Sequence, residues 1–225
     1  MSVKYRQKEA FQQYEADQWF DRNRAAIENY KGSEDLAVKV IQQYGLRPLR
    51  VLEIGCSSGY RLDHIRNILP LTRVYGVDLS AKAIAEGKRK FSHVEFHLGG
   101  ADDLSMFDDD TFDLVIIGFV LFAVDRPSLL KVVTEIDRVL ADKGSLLNID
   151  FFAEKASRNS YHHIEEFQAY TFKQRYEDIF LSTQLYQMIH KVSFNHSDRS
   201  LDATDDYFNK CSISLLKKDI NASYH

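Results

Sequence analysis

Between residues 50 and 152, short apolar runs alternate with segments of helical character, and this alternation limits the possible folds more than any other feature of the chain. Short continuous apolar runs that end at turns are typical of buried strands. Strands separated by helices predict a right-handed, parallel, doubly wound α/β sheet. Five runs carry the prediction: RVLEIG, RVYGVD, HVEFHL, FDLVIIG and SLLNIDFF.

The flanking segments extend this sheet. Residues 1–47 are predicted to form helices that are broken near Gly32, with Ser33 as the N-cap of the last helix and Gly45 as its C-cap. A helix is expected around 164–182, followed by an antiparallel strand pair, YQMIHKVSF and NKCSISLLK, at the sheet edge. The prediction is therefore an α/β, doubly wound, mostly parallel, seven-stranded Rossmann-like sheet. We expect a single domain over 1–225, with N-terminal helices at 1–47, a core at 48–152 and a substrate-side segment at 153–225.

Charge and composition exclude several classes of function. The net charge is −4 and no basic block follows a predicted helix, which argues against a nucleic-acid substrate. No stretch approaches ~18 consecutive apolar residues, so membrane insertion is not expected. The first 20 residues contain no apolar signal core, which predicts a cytoplasmic protein. Two cysteines far apart in sequence argue against a disulfide framework and a cysteine-rich zinc site.

The stretch GCSSG at 55–59 allows two other interpretations. It fits the G-x-S-x-G elbow of serine hydrolases, with Ser57 as the nucleophile. Such an elbow usually follows several strands, whereas here about 50 predicted helical residues precede it. A dinucleotide-binding loop, G-x-G-x-x-G, would require glycine where this chain has Ser57 and Tyr60. Both alternatives therefore fit poorly.

Four segments in register resemble class I S-adenosylmethionine-dependent methyltransferases. VLEIGCSSGY resembles their first motif, acidic-x-G-x-x-x-G, and GVDLS resembles the end of their second strand. GGADDLSMFDDDTFDLVIIGFVLFAVDR resembles their adenine loop and fourth strand, and EIDRVLADKGSLLNIDFF their helix-turn-fifth-strand segment. The resemblance covers about 48–152. It implies methyl transfer from S-adenosylmethionine, with S-adenosylhomocysteine as the product.

The resemblance also implies a set of residues that bind the cofactor. Gly55 and Gly59 would let the backbone approach it and would open a helix whose N-terminal amides are partly positive. Asp78 would accept both ribose hydroxyls, although it could instead be a helix N-cap. The family often has an acidic residue where this chain has Gly100, so the contact with the adenine amine is assigned to Asp102. The full predicted set is Glu53, Gly55, Cys56, Ser57, Gly59, Asp78, Leu79, Ala101, Asp102, Gly118 and Phe119.

A hydroxyl acceptor would benefit from a general base. We expect it at the carboxyl ends of strands four and five or in the following segment, because ligands bind there. The predicted base is His163, with Asp150 as its orienting partner or as a second candidate. The alternative is that His163 is an ordinary surface residue. A metal site built from Asp150, His162 and His163 would lack a fourth ligand, so no metal is predicted.

The N-terminal EADQWFDRNR resembles a segment of methyltransferases from bacterial surface-sugar pathways. Its Trp19, Phe20, Arg22 and Asn23 are predicted to form a lid that excludes water, or else an amphipathic helix packed on the sheet. Tyr161 and Tyr176 are predicted on the substrate side, on the strength of a looser resemblance in the tail. There this chain has Arg175 where those proteins carry an acidic residue.

The resemblance implies that the acceptor is a small molecule, methylated on oxygen or nitrogen, with a sugar or nucleotide-sugar as the leading candidate. Two alternatives stay open. One is an RNA or protein methyltransferase, which would require a basic stripe near the strand ends. The other is a subunit that binds S-adenosylmethionine without catalysis. The protein is expected to be a monomer or a homodimer.

Overall fold

A seven-stranded sheet forms the centre of the protein in the computed structural model, which describes residues 7–164, 169–201 and 206–221. The strand order is β3-β2-β1-β4-β5-β9-β8. A separate hairpin joins β6 and β7. The strands are β1 (Arg50–Ile54), β2 (Arg73–Asp78), β3 (Val94–Leu98), β4 (Phe112–Gly118), β5 (Leu140–Phe151), β6 (Ser157–Tyr161), β7 (Ala169–Lys173), β8 (Tyr186–Asn195) and β9 (Lys210–Lys218).

The first five strands are parallel, β9 runs antiparallel to β5, and β8 runs antiparallel to β9 and so in the same direction as the first five. The predicted fold class is therefore confirmed. Because β9 begins where β5 ends, Cys211 pairs with Phe151, and Asn195 at the end of β8 pairs with Lys210. The turn between β8 and β9 consequently lies at the carboxyl edge of the parallel strands. This is the edge at which such sheets bind ligands.

Helices cover both faces of the sheet. They are α1 (Gln7–Ala10), α2 (Ala16–Glu28), α3 (Leu36–Gln43), α4 (Tyr60–Ile68), α5 (Ala81–Lys90), α6 (Leu129–Val139) and α7 (Glu177–Leu181), with a π-helical turn at Phe11–Glu15 and a 3₁₀ turn at Gly32–Glu34. Neighbouring strand residues point to opposite faces. Val51 accordingly packs with Ile41 of α3, and Leu52 packs in the other core with Ile136 of α6. Among the described residues, we find no helix that combines the length and the apolar character needed to span a lipid bilayer.

The boundaries of α3 correct one prediction and confirm another. Its N-cap is Asp35, whose carboxylate accepts hydrogen bonds from the amides of Ala37 and Val38 at 2.8 and 3.1 Å. Ser33 instead lies in the preceding 3₁₀ turn. Gly45 ends the helix with a φ of +59°, as expected for a C-cap glycine.

The helix predicted around 164–182 is wrong, apart from its last turn. Residues 169–173 form β7, which pairs with β6, and only 177–181 are helical. Residues 165–168 lie outside the described part of the chain. The segment SRNSY supplies a pairing partner, and tertiary pairing overrides the weak local helical pattern. Residues 141–144, ADKG, which the resemblance places in the turn before the fifth strand, are likewise part of β5, where the register against β4 shifts.

Candidate functional site

The loop between β1 and α4 requires both of its glycines. Gly55 and Gly59 have φ values of +76° and +82°, a region that side chains other than glycine adopt only at a cost. A Cβ at Gly55 would lie 2.4 Å from Val120 Cγ2, and one at Gly59 would lie 2.5 Å from Phe96 Cζ. The side chains of Val120 and Phe96 thus pack directly against the loop, whose backbone turns sharply into the N-terminus of α4.

Asp78 lies at the carboxyl end of β2, directly beside this loop. Its Oδ2 accepts a hydrogen bond from the Ser57 amide at 2.7 Å, and its Oδ1 accepts one from the Ser80 amide at 2.8 Å. The N-cap of α5 is Ser80, whose hydroxyl accepts from the amide of Ala83. The alternative role of Asp78 as a helix N-cap is therefore wrong. Burial raises the pKa of Asp78 above its usual value, despite these hydrogen bonds.

Glu53 forms a buried acid–base cluster with a residue that the sequence analysis did not single out. The Glu53 side chain is 2% exposed, and its Oε1 accepts a hydrogen bond from Arg61. Arg61 also binds the Asp35 carboxylate at 3.0 Å. Burial raises the pKa of Glu53 to about 7, against the opposing effect of Arg61. The second oxygen of Glu53, Oε2, has no hydrogen-bond partner among the described residues.

The arginine of this cluster reaches towards the end of β4. A Cβ on Gly118 would lie 3.4 Å from Arg61 Nη1. The only signal in the sequence is that Arg61 follows Gly59 by two residues, in the first turn of a helix above an acidic strand end. Arg61 also lines a cavity of about 240 Å³, together with Tyr30, Phe119, Phe194 and Arg199.

Ala101 and Asp102 are both buried in the loop after β3. The Asp102 carboxylate is not a solvated loop charge, because it forms a salt bridge with the ammonium group of Lys8 in α1 and accepts a hydrogen bond from it. A Cβ at Gly100 would lie 2.9 Å from Asp102 Oδ1. Glycine at this position therefore leaves room for the Asp102 side chain to turn back towards the N-terminal segment.

The N-terminal segment crosses the carboxyl edge of the sheet. At one end, Gln7 donates hydrogen bonds to the carbonyls of Ala123 and Tyr170 at 2.8 and 2.7 Å. Further along, Asp17 accepts hydrogen bonds from the Ser80 hydroxyl and the Lys82 amide. The segment thus runs from the loop after β4 to the end of β2, which is the position that a lid would occupy.

The four predicted lid residues have different environments. Phe20 is 1% exposed, whereas Trp19 is 42% exposed and its carbonyl accepts a hydrogen bond from Asn23. Arg22 binds the buried carboxylate of Glu15, which also accepts a hydrogen bond from the Tyr161 hydroxyl of β6. The N-terminal segment and the β6–β7 hairpin are therefore tied together at Glu15. The lid itself stays a prediction.

The two predicted catalytic residues have separate partners. Asp150 is buried and accepts hydrogen bonds from the amides of Phe122 and Phe151 at 3.2 and 2.7 Å. Burial raises the pKa of Asp150 to about 7. His163 is exposed and contacts the rings of Tyr161 and His162. The structure does not join Asp150 and His163 by a hydrogen bond, so Asp150 does not orient this histidine as predicted.

Tyr176 does not lie on a substrate-facing surface. Its ring is 1% exposed within the core on the α6 face, and its hydroxyl donates to the carbonyl of Phe172 at 2.9 Å. The environment of Tyr176 is that of a packing residue. Among the residues that the structure describes, no group of three or more His, Cys, Asp or Glu side chains could hold a metal ion.

An aromatic cluster lies at the carboxyl edge, formed by Phe119, Phe122, Phe151 and His196. The ring centroids of Phe119 and Phe151 are 5.4 Å apart, and His196 lies 5.0 and 5.2 Å from them. Phe122 lies 5.0 Å from Phe151. Phe119 has a φ of +55°, a strained conformation that often marks a functional site. Sequence reasoning found Phe119 but missed His196, because nothing near His196 in the sequence shows that β8 ends at this edge.

Comparisons with known proteins identify the central part of the chain. The family described as "Methyltransferase domain" matches residues 51–144. The chain is 35% identical over 108 residues to a demethylmenaquinone methyltransferase of Leptospira interrogans, covering 45% of this chain and 43% of that protein. It is 29% identical over 137 residues to a malonyl-[acyl-carrier protein] O-methyltransferase of Legionella pneumophila, covering 56% and 48%. These alignments thus span less than half the length of the curated relatives.

Solved structures share the fold over nearly the whole chain. A 1,6-didemethyltoxoflavin N1-methyltransferase of Burkholderia thailandensis, crystallised with bound 1,6-didemethyltoxoflavin and S-adenosylhomocysteine, has a TM-score of 0.72 at 13% identity, covering 97% of this chain and 92% of that one. A SAM-dependent methyltransferase of Methanosarcina mazei has a TM-score of 0.63 at 16% identity, covering 81% and 98%. At these identities the likeness concerns the fold alone.

Proposed function

We propose that this chain, which carries a methyltransferase domain over 51–144 on the fold of the class I S-adenosylmethionine-dependent methyltransferases, transfers a methyl group to an oxygen or nitrogen of a small polar acceptor. S-adenosylmethionine, the cofactor predicted from the sequence, is the cofactor of that class. The observation that carries the proposal is the pairing of the loop Gly55–Gly59 with the Asp78 carboxylate at the carboxyl edge, inside the matched domain.

The side chains at this edge fit the groups of the cofactor. Each oxygen of Asp78 holds one backbone amide and keeps a lone pair, so one carboxylate can accept both hydroxyls of a ribose. Glu53 Oε2 is buried and unpartnered among the described residues, and a buried acceptor without a donor is costly. The ammonium group of the cofactor's amino-acid part would supply that donor. Asp102 and the backbone of Ala101 would hold the adenine.

The protein's contribution to such a reaction is mainly alignment. The bound cofactor supplies an already activated methyl group. The rigid loop and Asp78 fix its position, and well-oriented placement can supply on the order of 7–11 kcal/mol. The N-terminal segment, tied down through Lys8, Asp17 and Glu15, would exclude water from the edge.

Two groups remain candidates for a general base. His163 lies beside Arg22 and Tyr161, at the side of the N-terminal segment, and desolvation and Arg22 lower its pKa, which keeps the ring neutral near pH 7. The buried Asp150 has a pKa of about 7, which suits proton transfer at neutral pH. A nitrogen acceptor would need neither group.

For the acceptor, we propose a small molecule and retain a sugar or nucleotide-sugar as the finer candidate. The relatives above are named for demethylmenaquinone, malonyl-[acyl-carrier protein] and 1,6-didemethyltoxoflavin, which supports small-molecule chemistry without favouring a sugar. An RNA or protein substrate is disfavoured by the net charge of −4. A subunit that binds the cofactor without catalysis is the remaining alternative.

Titration calorimetry with S-adenosylmethionine tests the proposal. We expect the wild-type protein to bind and Asp78→Ala to bind about 10–100-fold more weakly, because hydrogen bonds to a charged group contribute about 1.5–3 kcal/mol. Asp108→Ala is the matched control, since Asp108 is exposed on the loop before β4, and we expect no change. Equal binding by wild type and Asp78→Ala would contradict the proposal.

Incubation with a metabolite pool then separates the remaining alternatives. The pool contains nucleotide-sugars, quinols and small acids, and S-adenosylmethionine is added to start the reaction. We expect one pool member to gain the mass of one methyl group. Binding of the cofactor with no methylated product, in this pool or with RNA, would favour the non-catalytic subunit.

A further inference from the structure

The turn after β8 places an imidazole at the carboxyl edge of the parallel strands. His196 follows the last residue of β8, and its amide donates to the carbonyl of Asn209 at 2.7 Å. Its ring lies against Phe119, which directly follows β4, and against Phe151, which ends β5. The backbone of His196 is therefore held by β9, and its ring packs on two aromatic residues at the carboxyl edge of the sheet.

One nitrogen of this ring is an unused hydrogen-bonding group. Nδ1 of His196 is buried and has no partner among the described residues. Burial, together with the positive charges of Arg199 and Lys173, lowers the pKa of His196 to about 4. These two charged groups are the ones that act on it from the neighbouring elements. The ring is consequently neutral at physiological pH, and with its proton on Nε2 it would offer a lone pair on Nδ1.

Resting on the proposed function, we infer that His196 orients the acceptor: its Nδ1 accepts a hydrogen bond from the hydroxyl or amine that receives the methyl group, while Phe119 and Phe151 contact the acceptor's ring. A neutral imidazole accepts such a bond throughout the physiological pH range. The two phenyl rings supply an apolar wall that suits either a planar aromatic ring or the C–H face of a sugar. His196 thus acts on the acceptor and has no role in holding the cofactor.

Imidazole nitrogen chemical shifts test this inference without knowledge of the natural acceptor. The full chain, labelled with ¹⁵N-histidine and saturated with S-adenosylhomocysteine, is titrated with phenol and separately with methyl glucoside. The His196 signals are assigned by their loss in His196→Phe. We expect an Nε2–H tautomer, and a change of the Nδ1 shift with one of the two probes, which also distinguishes an aromatic acceptor from a sugar. A ring that is protonated at pH 7, or an Nδ1 that responds to neither probe, would overturn the inference.

Two substitutions separate the lone pair from the packing of the ring. His196→Phe keeps an aromatic ring and removes the acceptor nitrogen, and we expect methyl transfer to the pool member identified above to fall about 10–100-fold. His196→Asn places an oxygen near the position of Nδ1, and we expect it to restore most of that loss. His93→Phe, at the amino end of β3, is the matched control and should leave the rate unchanged.

The two proposals fail differently. If S-adenosylhomocysteine does not bind the wild-type protein, the proposed function fails, and this inference fails with it. If the cofactor binds and methyl transfer by His196→Phe equals that of the wild type, only the inference about His196 fails. We expect the affinity for S-adenosylhomocysteine to be the same in His196→Phe and wild type, because the ring lies outside the Gly55–Gly59 loop.

Discussion

Replacing Gly59 with alanine measures how strongly the cofactor loop depends on its backbone conformation. Gly59 has a φ of +82°, and a Cβ there would lie 2.5 Å from Phe96 Cζ and 2.7 Å from Phe96 Cε1. Phe96 is 4% exposed and is packed between two glycines, since a Cβ at Gly87 would lie 2.6 Å from the same Cζ. The ring therefore has no room to move away from a methyl group at position 59.

Two costs follow from this geometry. Holding a residue other than glycine in the left-handed region costs roughly 1–2 kcal/mol. Forcing an extra methyl group into a packed core costs about 1–3 kcal/mol more. We expect Gly59→Ala to lower the free energy of unfolding by about 2–5 kcal/mol and to weaken binding of S-adenosylmethionine, because the loop would have to shift.

Gly45→Ala is the matched control for this prediction. Gly45 also has a positive φ, +59°, but no atom lies within 4 Å of its hypothetical Cβ. We therefore expect Gly45→Ala to lower the free energy of unfolding only by the conformational cost of about 1–2 kcal/mol. The effect of alanine on the unfolded chain is the same at both positions and cancels in the difference. Urea denaturation of the two variants measures that difference. If Gly59→Ala costs no more than Gly45→Ala, the steric argument is refuted.

Two further predictions concern buried carboxylates. Burial raises the pKa of Asp150 from 3.8 to about 7, so the unfolded state releases its proton first as pH rises. We expect the free energy of unfolding of wild type to fall relative to Asp150→Asn between about pH 4 and pH 7, measured by denaturation across that range; parallel curves would contradict it. Arg22→Ala removes the cation from Glu15, which is 1% exposed and keeps only the Tyr161 hydroxyl. We expect this substitution to lower the free energy of unfolding by about 1–3 kcal/mol, measured by urea denaturation, and we expect the added substitution Glu15→Gln to restore part of that loss. An unchanged free energy of unfolding would show that the ion pair does not stabilise the protein.

The resemblance of short local motifs to class I methyltransferases named Gly55, Gly59 and Asp78 as residues of one site. The structure brings the loop and the Asp78 carboxylate together through a hydrogen bond from the Ser57 amide. The two lie close because parallel neighbouring strands end at the same edge of a sheet. Their role in binding S-adenosylmethionine stays a prediction, which the calorimetry tests.

Local patterns failed where a distant strand decided the structure. Residues 169–173 form β7 because 157–161 pair with them, and no periodicity within 164–182 reveals that partner. The pairing of Asp150 with His163 failed for a similar reason. The buried Asp150 carboxylate is already held by the amides of Phe122 and Phe151, and the hairpin that carries His163 packs on the N-terminal segment instead.

Over residues 50–152 the sequence by itself determined the order of strands and helices and the residue types at the strand ends, because those depend on the spacing of neighbouring side chains along the chain. Only the tertiary structure decided which of these residues meet. Tyr161 reaches Glu15 across 146 positions of sequence, and Lys8 reaches Asp102 across 94. His196 joins Phe119 because β9 runs antiparallel to β5 and β8 runs antiparallel to β9, so that β8 has the same direction as the first five strands. The end of β8 therefore lies at the edge where the cofactor loop lies.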